Sequence, residues 1–135
     1  MNLRLVAAFL LSTIVSSCNF GLEPIPTKSM VVTATAYNSL AYQTQGDPTL
    51  TAWGDTLKPG MKAIAVSRDL IDSGLTHNTW VYIEELQDTF LVKDKMNRRW
   101  TRKIDIYLGN YVDSARQWGK RPVNITWPGP ASEID

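Results

Sequence analysis

The chain has 135 residues, with 14 basic and 13 acidic side chains, a formal net charge of +1, one cysteine and one histidine. That length allows one small domain, and a single cysteine excludes an intramolecular disulfide. Balanced charge without a recognised nucleic-acid motif argues against nucleic acid as a partner. The lone His77, without Cys, His or Glu at ligand spacing, gives no reason to expect a metal or other cofactor.

The first stretch is not read as fold. Arg4 gives a positive start, Leu5 to Leu11 begins an apolar core that continues through Ile14 and Val15, and Ser16-Ser17 precede Cys18. Charge, length and small residues are those of a secretory signal peptide over residues 1–17. The run is short for a membrane span, which needs about 20 apolar residues. A cysteine directly after it resembles the lipobox of a bacterial lipoprotein, which implies lipidation at Cys18. The other reading is plain secretion with a leftover thiol, or an uncleaved anchor. Several acyl chains make anchoring stable where one does not, and Asn19 after the cysteine points to the outer membrane, facing the periplasm. Cleavage removes Arg4 and no acid, leaving 13 basic and 13 acidic residues. Residues 18–29, with Pro24 and Pro26, read as lipidated N-terminus and tether, 30–127 as one domain and 128–135 as a tail.

In the domain, Val31 to Tyr37 alternates and is rich in β-branched residues, which predicts a strand. Asn38 to Pro59 is polar and punctuated by Gly46, Pro48, Gly54 and Pro59, a long loop. Ala63 to Val66 and Thr79 to Ile83 read as short strands, with a turn of helix or loop around Gly74 between them. Phe90 to Lys93 and Ile104 to Leu108 read as two further strands. Asn110 to Trp118 predicts a helix capped by Asn110, apolar at Val112, Ala115 and Trp118, and stopped by Gly119. Pro122 to Trp127 is a last strand. Six short strands, long connections and one helix suggest a small closed or nearly closed β-barrel.

Asp94 and Asp105 stand at the inner ends of the fourth and fifth strands. If those strands form a hairpin about Arg99 and Trp100, Asp94 lies opposite Asp105, on one face, with Cβ atoms roughly 5 Å apart. Two like charges that close raise one pKa and make a protonated carboxyl available near neutral pH. The alternative is that both aspartates are solvated or paired with Lys93, Lys95, Arg98, Arg102 or Lys103.

Thr33-Ala34-Thr35-Ala36-Tyr37, Thr51-Ala52-Trp53-Gly54, Ile64-Ala65-Val66, Asp94, Ile104-Asp105-Ile106-Tyr107 and Trp118-Gly119-Lys120-Arg121 occur in that order. The series resembles the three-aspartate (3D) domain, a six-stranded double-psi β-barrel related to membrane-bound lytic murein transglycosylase A. The resemblance covers Val31 to Ile125. Asp94 and Asp105 match its second and third aspartates. The first normally follows an Ala-Val pair, but Ala65-Val66 is followed here by Ser67-Arg68, with Asp69 two residues late. The usual Gly-Gly after the second aspartate is replaced by Lys95-Met96-Asn97.

The resemblance implies cleavage of the β-1,4 bond between N-acetylmuramic acid and N-acetylglucosamine in peptidoglycan, with a 1,6-anhydro product. It places Asp105 as acid/base and Asp94 beside it, with Ser67, Asp69, Thr51 and Lys62 as supporting candidates. Trp53, Trp100 and Arg102 are candidates for contacting the glycan; Trp53 and Trp100 are also read as packing residues, and Trp80, Trp118 and Trp127 as core or shell. The basic run from Lys93 to Lys103 either faces the carboxylates of peptide stems or is solvated. The alternatives to an enzyme are a non-catalytic peptidoglycan-binding lipoprotein module and a structural lipoprotein, with a monomer expected in each case.

Overall fold

The computed structural model describes residues 21, 24–37, 47, 49–109 and 112–130. The expected signal peptide, Cys18 and the Asn110 cap lie outside the described residues.

Six strands close into a barrel. They are β1 (Thr27–Tyr37), β2 (Ala63–Val66), β3 (Trp80–Ile83), β4 (Asp88–Lys95), β5 (Lys103–Tyr107) and β6 (Arg121–Pro128), in the spatial order β1-β5-β2-β4-β3-β6. β1 begins before the strand expected at Val31, because Thr27 to Met30 pair with Pro128 to Ile125 of β6. The strand therefore takes in the last residues expected in the tether. Between β2 and β3 comes helix α1 (Arg68–Asp72), ended by Ser73 and by Gly74 at φ +105°. A short 3₁₀ turn, Glu84–Leu86, joins β3 to β4. A second helix, α2 (Val112–Trp118), precedes β6, so the described residues hold the one expected helix and, in α1, the helical form of the segment read as a turn of helix or loop before Gly74. Trp118 packs against the barrel and its indole N–H donates to the Ala34 carbonyl at 3.3 Å.

Alternation decides which residues fill the interior. Val32 and Ala34 of β1, Ile64 and Val66 of β2, Val81 and Ile83 of β3, Phe90 and Val92 of β4, Ile104 and Ile106 of β5, and Val123, Ile125 and Trp127 of β6 make the buried core. Shortening one of the isoleucines to alanine costs about 2–5 kcal/mol where the site cannot collapse.

The expected β4–β5 hairpin does not form. β2 lies between them, parallel to β4 and antiparallel to β5. All four residues of β2 are buried, as suits a strand covered on both faces. The Met96–Arg102 connection instead carries the chain past β2, and the closed barrel gains a second parallel pair, β1 with β5.

Candidate active site

Thr33, Thr35 and Tyr37 alternate with the inward residues of β1, so they face outwards. Thr35 pairs with Asp105 and Tyr37 with Tyr107. On the other side of β5, Asp105 pairs with Ala65 of β2, and Ala65 pairs in turn with Asp94 of β4. One row across the outer face therefore reads Thr35, Asp105, Ala65, Asp94.

Asp94 reaches that row through a bulge. Ile64 pairs with Val92 but Ala65 pairs with Asp94, leaving Lys93 as the extra residue. Without it, Asp94 would share the inward parity of Phe90 and Val92. A bulge re-aims side chains in this way. Asp94 and Asp105 are two strand spacings apart, about 10 Å at the backbone, rather than direct neighbours as the hairpin predicted. Ala65 between them has a side chain too short to fill the space.

A loop covers part of this face. The Ala52 N–H donates to Asp94 Oδ1 at 2.8 Å, as does the Lys95 N–H. Leu57 packs with Ala63 and Tyr107 in a second apolar cluster that also takes Tyr37 and Met61. Asp55 ties the loop down through a hydrogen bond with the His77 ring and a contact of 3.4 Å with Lys93 Nζ, which also donates to Asn78 Oδ1 at 2.6 Å. Trp53 lies against the His77 ring, with centroids 5.0 Å apart and planes tilted by 32°. Thr51, also in this loop, is buried, and its Oγ1 accepts from the Asp55 N–H at 3.0 Å. Thr51 thus shapes the loop beside Asp94.

The electrostatics follow from this cover. Burial pushes the Asp105 carboxyl up to about 6; the Thr35 hydroxyl, which donates to Oδ1 at 2.9 Å, and the Lys103 charge pull the other way, and Asp94 adds the smallest upward push. Desolvation, rather than the like-charge pairing expected from a hairpin, makes Asp105 a weak acid. Burial also raises Asp94, against the Ala52 and Lys95 amides and the Lys95 charge, with Asp55 adding to the rise. Tyr37 is raised by burial and then by Asp94, Asp105 and Tyr107 in that order, so its hydroxyl stays protonated near both carboxylates. No described residue hydrogen-bonds the buried Tyr37 hydroxyl.

The remaining candidates divide. Ser67 is fully buried and its hydroxyl accepts from the Lys103 N–H at 3.0 Å, two residues along β5 from Asp105. Asp69 accepts from the Arg102 N–H through Oδ2 at 2.9 Å, while its Oδ1 is enclosed without a partner among the described residues. It ties α1 to the start of β5 and does not replace a carboxylate beside Asp105. Lys62 pairs with Asp88 at 2.7 Å, at the far end of β4 from Asp94, so it does not belong to the site. Trp100 carries the Lys103 ammonium at 3.6 Å and the Arg99 guanidinium at 4.8 Å from its ring centroid. Arg102, at φ +46°, lines a shallow depression with Val31, Val32, Thr33 and Pro122 rather than the aspartate row. Trp127 is buried, but Trp80 is 55% exposed on the outer side of β3, which corrects its assignment to the core or shell.

Thr35 and Tyr37 were not singled out as site residues, although the alternation of β1 carries the signal. Asp55 and the Ala52 amide had none, since their part depends on how a long loop folds back.

No family model and no curated protein matches this chain. Among solved structures it is similar to the apo expansin of Clavibacter michiganensis, with a TM-score of 0.48 and 17% identity over 76% of this chain and 52% of that one. The chain thus spans about half the length of that expansin.

Proposed function

We propose that the domain is a three-aspartate double-psi barrel that cleaves the MurNAc–GlcNAc β-1,4 bond of peptidoglycan as a lytic transglycosylase. The observation that carries this reading is Asp105: a carboxyl held up to about 6 by burial, on an outward face, with Thr35 bonded to it. Two short motifs of the sequence support it, since Thr33–Tyr37 and Ile104–Tyr107 run side by side, with Thr35 against Asp105 and Tyr37 against Tyr107.

Ordinary glycosidases divide the work between two carboxylates. Here the muramic C6 hydroxyl is the nucleophile, and its fixed position replaces an activated water. Protonated Asp105 gives its proton to the glycosidic oxygen as the C1–O bond breaks. The C6 oxygen then bonds to C1, and its proton returns to Asp105. The products are an N-acetylglucosamine 4-hydroxyl and a 1,6-anhydromuramic end, with no net consumption of water. Asp94, across Ala65, flanks the place where the sugar lies, and the enclosed Tyr37 hydroxyl stays protonated near both carboxylates.

The same reading takes residues 1–17 as a signal peptide and Cys18 as the lipid attachment, with a monomeric domain held at the envelope, facing the periplasm. Its partner is then the glycan strand. One observation favours the binding-module alternative: the position expected to carry a first aspartate holds Ser67, whose hydroxyl is committed to the Lys103 amide.

Purified sacculi digested with the protein and examined by mass spectrometry test the reaction. Anhydro-muropeptides are expected. Reducing-end products would make it a hydrolase, and binding without release at any pH would make it a binding module.

A further inference from the structure

The basic run from Lys93 to Lys103 separates into groups with different surroundings. Lys93 belongs to the Asp55 ion pair, Arg99 and Lys103 stack on Trp100, and Arg102 lines the depression beside Thr33. Lys95 and Arg98 do something else. Together with Arg68 and Ile71 of α1, Trp53 of the covering loop and Asp72, they line a groove of about 330 Å³. The Arg68 Nε donates to the Met96 carbonyl at 3.2 Å, which fixes the guanidinium on the groove wall. Lys95 Nζ lies 5.6 Å from the Trp53 ring centroid. Among the described residues, no carboxylate lies within ion-pair distance of Arg68, Lys95 or Arg98, and Asp72 is the one acid lining the groove.

The groove adjoins Asp94 along the chain. Lys95 follows Asp94 in the chain, and Trp53 follows Ala52, whose amide is bonded to Asp94. Neither Asp94 nor Asp105 lines the groove, but a sugar held at Asp94 leaves its substituents one residue from Lys95 and, through the bonded Ala52, one residue from Trp53. The projecting groups of peptidoglycan are short peptides ending in carboxylates.

We infer that the groove of Trp53, Arg68, Lys95 and Arg98 is a subsite for the carboxylates of a peptide stem, so that the domain recognises stem-bearing rather than bare glycan. This rests on the peptidoglycan reading above. Opposite charges brought together at a partly exposed site contribute modestly each, and act mainly through specificity and association rate.

The test is co-sedimentation of the full-length chain, in detergent, with three preparations of sacculi: untreated, amidated at their carboxyls with carbodiimide and ammonia, and stripped of phosphate polymers with hydrofluoric acid. Amidation should weaken wild-type binding about tenfold, as expected for two or three such ion pairs, and acid stripping should leave it unchanged. Lys95→Gln/Arg98→Gln should bind untreated sacculi as weakly as wild type binds amidated ones. Equal wild-type binding to untreated and amidated sacculi overturns the subsite, whether or not the variant folds. Loss on acid stripping instead of amidation assigns the groove to phosphate and overturns it too. Muropeptide release is read separately from the same tubes: carboxylate-dependent binding without anhydro product supports the subsite while overturning the reaction.

Discussion

Asp94 and Asp105 face the same side of the barrel with Ala65 between them, and the extra residue Lys93 in β4 is what puts Asp94 there. The separation matters for the chemistry. At about two strand spacings, the two carboxylates are weakly coupled, so each keeps its own titration. Asp105 is a weak acid because the protein covers it, and Asp94 is held separately by the Ala52 and Lys95 amides.

Replacing Asp105 by asparagine should abolish turnover, since the amide cannot cycle a proton, and the same change should stabilise the fold at neutral pH. The folded carboxyl titrates about 6 against an ordinary 3.8. Between those values the folded chain holds a proton that the unfolded chain has released, so stability falls as pH rises across the window and stays lower above it. The penalty at pH 7 is about 3 kcal/mol. Thermal melts of Asp105→Asn and wild type should differ little near pH 3.5 and diverge in favour of the variant by pH 7. A wild-type Tm at least as high as the variant's at pH 7 would contradict the buried-acid account.

Thr35 and Asp94 act on that acid in opposite directions. The Thr35 hydroxyl favours the ionised form, so Thr35→Val should raise the Asp105 pKa and move the alkaline limb of the activity profile upwards. Asp94 disfavours the ionised form, so Asp94→Asn should move it downwards, and only slightly, because Asp94 is the smallest contributor. A pH–rate profile of the two variants checks both signs. Equal shifts in the same direction would show that neither residue acts through Asp105.

The covering loop should respond to its own latch. Burial pushes the Asp55 carboxyl up, but the His77 hydrogen bond and the His77 and Lys93 charges outweigh it and hold Asp55 below the ordinary range. Its stabilising contribution is therefore present above the unfolded pKa and lost as pH falls through the lower folded value. Asp55→Asn should loosen the loop at neutral pH, seen as faster amide exchange at Ala52 and Leu57 with the core strands unchanged. Exchange that stays at the wild-type rate would show that Leu57 packing alone holds the loop.

Much of this architecture can be read from the residues, and the exceptions have physical causes. The alternation of Val31 to Tyr37 gives both the strand and its faces, so Tyr37 was legible from period alone, whereas Trp80 to Ile83 is apolar throughout and hid the exposed side of Trp80. Strand order was not legible. Ala63 to Val66 is an apolar run with no alternation, silent about its neighbours, and adjacency in sequence made β4 and β5 look like partners when β2 lies between them. The bulge at Lys93 carries no glycine to announce it. Asp94 and Asp105 could therefore be placed together on wrong geometry, with the wrong cause assigned to the raised pKa.

Ser67 has a structural part at the position where the resemblance expects a carboxylate. Its side chain is fully enclosed, and its hydroxyl accepts from the Lys103 amide. Ser67→Ala removes the acceptor and leaves that buried N–H unsatisfied, a loss of about 1–3 kcal/mol. Ser67→Asp, which would supply the carboxylate that the proposed three-aspartate pattern expects, must fit extra atoms and a charge into a filled space. It can keep the Lys103 amide bonded, but overpacking of this kind costs about 1–3 kcal/mol and burial of the charge adds to it. Both variants should therefore unfold at lower denaturant concentration than wild type, and Ser67→Asp should yield no gain in muropeptide release per folded molecule. Higher release from Ser67→Asp at wild-type stability would show that the site has room for a third carboxylate, and that Ser67 belongs to the catalytic face.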